Sequence, residues 1–217
     1  MYIRVNGIDL FYEKKGQERP IILLHGNGES HKIFDTLTRQ LIPKFSVYAI
    51  DSRGHGKSGK TKRLDYGDMA RDIAAFINEL EIEKPMLYGF SDGGIIGLLL
   101  AIRYPALLSK LIISGANTRP DGINSMWTFL IKASYFFTRS GKDKLMLTQP
   151  NITDAELNSI AIPTLILAGS KDMIKAEHTK NIAQNIPGSA LKILDGETHA
   201  SYVINSEKLY GIIEPFL

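Results

Sequence analysis

Short apolar runs alternate with longer stretches that repeat their apolar positions every three to four residues. The pattern predicts a strand–helix alternation along most of the chain. Tyr2 to Val5 and Leu10 to Lys14 are read as two strands around a turn at Asn6-Gly7. Ile21 to His25 and Val47 to Ile50 are core strands, with a helical pattern from Phe34 to Phe45 between them. Tyr66 to Leu80 carries Met69, Ala70, Ile73, Phe76, Ile77 and Leu80 along one face, an amphipathic helix. Pro85 to Tyr88, Lys110 to Ser114, Thr164 to Ala168 and Leu191 to Leu194 supply further strands. Helices are predicted over Glu177 to Ile186 and, closing the chain, over Tyr202 to Phe216. Strands alternating with helices imply a mostly parallel sheet covered on both faces, an α/β domain spanning residues 1–217.

One section interrupts the alternation. Residues 117–159 hold Trp127, Phe129, Tyr135, Phe136 and Phe137, then a polar stretch through Gln149-Pro150-Asn151. Some forty residues is too long for a simple connection, so a short helical cap or lid insertion over the strand ends is expected. Its aromatic residues, Trp127, Phe129 and Phe136 among them, are the candidates for an apolar substrate pocket.

The most informative local signal is Gly89-Phe90-Ser91-Asp92-Gly93, a Gly-x-Ser-x-Gly pentapeptide with an apolar run on either side. Strand, tight turn and helix fit that order. Such a turn lifts the serine out of the sheet on a strained elbow. A serine hydroxyl needs a base, an acid that orients the base, and donors for the oxyanion. His199, past the last predicted strand, is the candidate base. Asp172, past Leu165 to Lys171, is the candidate acid, and Asp195 is its nearest rival. The order Ser, Asp, His is that of the nucleophile-elbow fold. The backbone N–H groups of Asn27, in His25-Gly26-Asn27-Gly28, and of Asp92 are the candidate oxyanion donors. His25 and His55 are read as structural.

With these residues in place, the chain resembles the α/β-hydrolase superfamily, in its small-cap esterase-like members, along nearly its whole length. Four motifs carry the resemblance: His25 to Gly28, Asp51-Ser52-Arg53-Gly54-His55-Gly56-Lys57-Ser58, Gly89 to Gly94, and the late Asp172 and His199. The stretch from Asp51 to Ser58 is similar to the family's Asp-x-Arg-Gly-x-Gly-x-Ser loop, which implies a structural role, with Arg53 tying loops together. The resemblance implies an eight-stranded sheet with a short helical cap. It also implies hydrolysis of a small or medium acyl compound through an acyl-enzyme on Ser91, with carboxylesters first and thioesters or lactones next. A serine rather than an aspartate at the elbow argues against the dehalogenase and epoxide-hydrolase branches. Carbon–carbon cleavage or elimination by the same triad is an alternative. It would call for a cationic clamp from Arg103, Arg119, Lys132 or Arg139. A ligand receptor with a slow or vestigial triad is another.

Composition narrows the setting. The 217 residues are 44% hydrophobic and 23% charged, ordinary for a globular domain. There is no cysteine, which removes disulfides and thiol catalysis. The net charge is +3, with the densest basic run at Lys57, Lys60, Lys62 and Arg63, read as a solvated loop. No signal peptide or membrane-length apolar run is visible. The expectation is a cytoplasmic monomer or homodimer that acts on a small molecule. No metal, cofactor, nucleic-acid or membrane partner is anticipated.

Overall fold

A computed structural model describes residues 1–217. Its strands are β1 (Tyr2–Val5), β2 (Ile8–Lys15), β3 (Arg19–Leu24), β4 (Phe45–Ile50), β5 (Met86–Phe90), β6 (Lys110–Ser114), β7 (Thr164–Lys171) and β8 (Ala190–Thr198). They form one sheet in the order β1-β2-β4-β3-β5-β6-β7-β8. β2 runs antiparallel to both β1 and β4, and every other neighbouring pair is parallel. The helices are α1 (Asp35–Leu41), α2 (Tyr66–Glu79), α3 (Asp92–Arg103), α4 (Ser125–Thr138), α5 (Gly141–Thr148), α6 (Asp154–Asn158), α7 (Ala176–Asn185) and α8 (Lys208–Ile213).

The central strands are buried on both faces, which is why they read as continuous apolar runs. Their side chains still sort by the two-residue period of a strand. Ile22, Leu24, Leu87, Leu111 and Ile113 join the larger core, together with Met69, Ile73 and Phe76 of α2. Ile21, Leu23, Tyr88, Phe90 and Ile112 face the opposite way, against Phe34, Leu37 and Leu209. The two cores hold the sheet between them, so the carboxyl ends of β5, β6, β7 and β8 have fixed positions relative to one another.

Two expected helices are shorter than the apolar spacing predicts. Phe34 to Phe45 is split into a 3-10 turn at His31–Phe34, α1, and a loop. There Pro43 lacks the N–H that continuation needs. Tyr202 to Phe216 is not one helix. Residues 201–205 are turns, and only Lys208–Ile213 is α-helical, followed by a 3-10 turn over Glu214–Phe216 that contains Pro215. The segment between β6 and β7 carries α4, α5 and α6. No helix is long and apolar enough to cross a membrane.

Candidate active site

β5 ends at Phe90, α3 begins at Asp92, and Ser91 alone makes the turn with φ 52° and ψ −115°. A non-glycine residue there is strained by about 1–3 kcal/mol, so the surroundings must hold it. The Ser91 N–H donates to the Ser114 carbonyl at 2.7 Å, which ties the elbow to the end of β6. The flanking glycines permit the approach. A Cβ on Gly93 would run into the Leu24 carbonyl, and one on Gly89 into the Gly93 carbonyl.

β7 and β8 deliver the other two groups. Asp172 directly follows β7 and His199 directly follows β8. His199 Nε2 lies 3.1 Å from Ser91 Oγ, and His199 Nδ1 lies 2.7 Å from Asp172 Oδ1. The Asp172 carboxylate also accepts the N–H groups of Ile174 at 2.9 Å and Gly169 at 3.4 Å, so its orientation is fixed from three directions. With the acid bound to Nδ1, Nε2 is left free of a proton to accept the serine's. The rival acid, Asp195, is exposed on β8 rather than in a loop, and takes a 3.4 Å hydrogen bond from Ser170 of β7, which ties the two strand ends together.

Asn27 sits at the edge of the same cavity, and its N–H is bound to no protein acceptor. Its side chain donates to the Lys142 carbonyl at 3.2 Å, which fastens this loop to α5. The Asp92 N–H, at the first turn of α3, has no intrahelical acceptor. The Asp92 carboxyl points away into the core, where Tyr66 donates to it at 2.7 Å and its second oxygen has no partner. Burial pushes its pKa up to about 7.

The histidines read as structural are held as such. His25 donates its Nδ1–H to the Gly26 carbonyl at 2.7 Å and accepts the Ser52 N–H on Nε2 at 3.0 Å. Burial lowers its pKa to about 4, so it is neutral. His55 bonds the Arg53 carbonyl through Nδ1 at 3.0 Å. Arg53 ties its loop to α2 through two 2.5 Å bonds to Asp72.

The cavity over Ser91 measures about 450 Å³, and its wall is more polar than the sequence predicts. Ser134 and Thr138 of α4, with Ser140, Lys142 and Asp143, form the cap side, and Phe90, Met146 and Met173 supply apolar surface. Trp127, Phe129 and Phe136 do not line it; they are exposed at 46%, 69% and 66%. The reason is helical phase. Ser134 and Thr138 lie four residues apart on the edge of α4 nearest the cavity, which puts Phe129 and Phe136 on the opposite side; Trp127 shares the phase of Ser134 but sits about two turns nearer the start of the helix. Arg103, Arg119, Lys132 and Arg139 are also absent from the wall, where the cation is Lys142.

Two residues escaped sequence reasoning. Glu29 lines the cavity and accepts the Gly26 N–H at 2.9 Å, so it braces the loop that carries Asn27. Burial raises its pKa. Gly115, at φ 61°, leaves room for the imidazole, since a Cβ there would sit 2.6 Å from His199 Cε1.

Residues 19–139 match the family model described as alpha/beta hydrolase fold. The chain belongs to the α/β-hydrolase family. Among its relatives is the mouse protein "Serine hydrolase BPHL" (Mus musculus), 29% identical over 99% of this chain and 85% of the relative. Another is the Bacillus subtilis (strain 168) "AB hydrolase superfamily protein YisY", 30% identical over 96% of this chain and 95% of the relative. A solved esterase from Exiguobacterium antarcticum superposes with a TM-score of 0.86 over 99% of this chain and 98% of that one. At 23% identity, that likeness shows the fold alone.

Proposed function

We propose that this chain is a serine hydrolase that cleaves a small or medium acyl compound through an acyl-enzyme on Ser91. The observation that carries the reading is the continuous relay Ser91 Oγ–His199–Asp172, at 3.1 and 2.7 Å, opening onto a cavity. Membership of the α/β-hydrolase family supports it.

In the proposed reaction, Ser91 Oγ attacks the acyl carbon while its proton passes to His199 Nε2. Asp172 keeps the imidazole oriented and stabilises the imidazolium. The N–H groups of Asn27 and Asp92 receive the oxyanion. Losing one such donor typically costs about 2.7–4 kcal/mol of transition-state stabilisation. His199 returns the proton to the leaving group, and water, activated by the same imidazole, releases the acyl group from Ser91. Carboxylesters are the first substrate class, with thioesters and lactones beside them. The mixed polar wall favours a short acyl chain over a long one. A second reading uses the same triad on a carboxylate-bearing substrate, because Lys142 gives the cavity the cation such a substrate needs.

Labelling with a fluorophosphonate probe tests the nucleophile. The wild-type chain labels and Ser91→Ala does not; labelling that survives the substitution moves the nucleophile elsewhere. Short-chain aryl esters, acyl thioesters and lactones then rank the substrate classes. A folded chain with no Ser91-dependent turnover on any of them would favour a ligand receptor on this fold.

A further inference from the structure

Six of the twelve large apolar side chains exposed on the molecule lie on α4. At about 100° per residue, Met126, Leu130, Ala133 and Phe137 fall in one stripe. Phe129 and Phe136 flank it on one side and Trp127 on the other, so the apolar arc covers roughly half the helix. That arc faces solvent: Met126 is 72% exposed and Phe137 82%. Only Ile131 of this helix is buried. Contiguous apolar surface of this kind marks an interaction site.

The charges around it are one-sided. The α4–α5 hairpin, residues 125–148, contains Lys132, Arg139, Lys142 and Lys144 against the single anion Asp143. That excess equals the +3 of the whole chain, so the remaining residues are balanced. Lys132, Arg139 and Lys144 form no salt bridge with a carboxylate. Lys62 and Arg63, from the basic loop, line the same depression as Gly141 and Lys144 and extend the positive field past the helix end. Next to Phe129 another depression of about 500 Å³, lined by Ile131, Leu147, Lys132, Lys175 and Asp121, combines an apolar floor with two cations and one anion, which Arg119 pairs at 3.3 Å.

We propose that α4 docks this protein on an anionic lipid bilayer, with its apolar arc at the acyl boundary and the surrounding cations on lipid phosphates. An aromatic and aliphatic face flanked by Lys and Arg is the pattern of a helix lying in the interface plane. Such a helix needs no membrane-spanning length, so docking is compatible with the lack of a spanning helix. A second copy of this chain is the weaker occupant. Joining two such faces would bring two unpaired cation clusters together, whereas an anionic surface satisfies both the rings and the charges. The docking does not depend on the reaction at Ser91.

Vesicle co-sedimentation of the full chain tests this. Phosphatidylcholine vesicles are compared with vesicles containing about one-third phosphatidylglycerol. The expected result is partitioning at least about tenfold stronger on the anionic vesicles, falling as salt rises to about 0.5 M. The double variant Leu130→Gln with Phe137→Ser should lose most of the binding, and Lys132→Glu with Lys144→Glu should lose the preference for anionic lipid. Circular dichroism and thermal melting check that both remain folded. Absence of wild-type binding overturns the proposal, as does binding that both variants retain. A concentration-dependent dimer that Leu130→Gln with Phe137→Ser converts to monomer, without vesicle binding, assigns the face to a second copy instead.

Discussion

Helices α2 and α4 are both fourteen residues long and both rich in apolar side chains, yet they use them in opposite directions. α2 buries nine residues, including Met69, Ile73, Phe76 and Ile77 against the sheet. α4 buries one. The 3.6-residue period identifies a helix and its apolar stripe, but a stripe has no built-in address. In α2 the polar positions fall on the remaining arc, so only one orientation satisfies both solvent and core. In α4 the cavity edge is a pair of hydroxyls, Ser134 and Thr138, and Phe129, Phe136 and Phe137 face the outside. One helix is part of the scaffold that fixes the elbow. The other, between β6 and β7, borders the Ser91 cavity along one edge and solvent along another.

The scaffold side should give the largest effects. His199→Ala is expected to lower turnover by at least about 10⁴-fold, because it removes the only group placed to take the proton of Ser91. Asp172→Asn should lower kcat by a comparable factor while the protein stays folded, by favouring the wrong imidazole tautomer. Steady-state kinetics on an aryl ester decide this. If Asp195→Asn proves the damaging change instead, the orienting acid is misassigned.

The buried face of α2 comes next. Phe76 is fully buried and packs edge-on to Tyr12 at 4.9 Å between ring centroids. Phe76→Ala should destabilise the fold by about 3–5 kcal/mol, read from chemical unfolding, since little around it can collapse into the space. A cost below about 1 kcal/mol would mean that α2 is not the rigid half of the comparison.

A pH-dependent effect marks the start of α2, where Tyr66 meets Asp92. Burial holds the Asp92 carboxyl at about 7, above its usual value, so the folded chain binds a proton that the unfolded chain has released. Stability from this group is therefore full at acidic pH and falls as pH rises towards 7. Asp92→Asn stays neutral at any pH and lacks that loss. Its stability relative to wild type should improve between pH 5 and pH 8 by on the order of 1–3 kcal/mol. Urea unfolding at the two pH values checks it, and a pH-independent difference would show that the carboxyl ionises freely in the fold.

What was legible in the sequence follows the same division. The sheet strands and α2 could be read because their signal is local and agrees with the only face available. Gly89 to Gly93 could be read because the turn that exposes Ser91 admits few residue types around it. Asp172 and His199 were placed by chain order, and the structure brings both within hydrogen-bonding reach of the relay. Glu29 and Gly115 were not legible, since each acts through a contact between elements far apart in sequence. Gly115 is defined by an imidazole 84 positions later, and no local pattern reports that clearance. The rings of α4 depart from expectation for the complementary reason: helical phase turns Phe129 and Phe136 outward, and Trp127 sits about two turns before the cavity edge.

The smallest expected effect tests that last point most directly. Phe137 is 82% exposed, and its ring touches Phe136 edge-on at 5.2 Å between centroids. Phe137→Ser removes little buried surface and opens no core cavity, so it should change unfolding free energy by less than about 0.5 kcal/mol. The contrast with Phe76→Ala, the same residue type on a helix of the same length, isolates burial from hydrophobicity. A cost for Phe137→Ser above about 2 kcal/mol in dilute solution would show that the ring is covered in the free protein. The outward face of α4 would then be a packed interface that contributes to the fold, and the two helices would differ only in which partner each one needs.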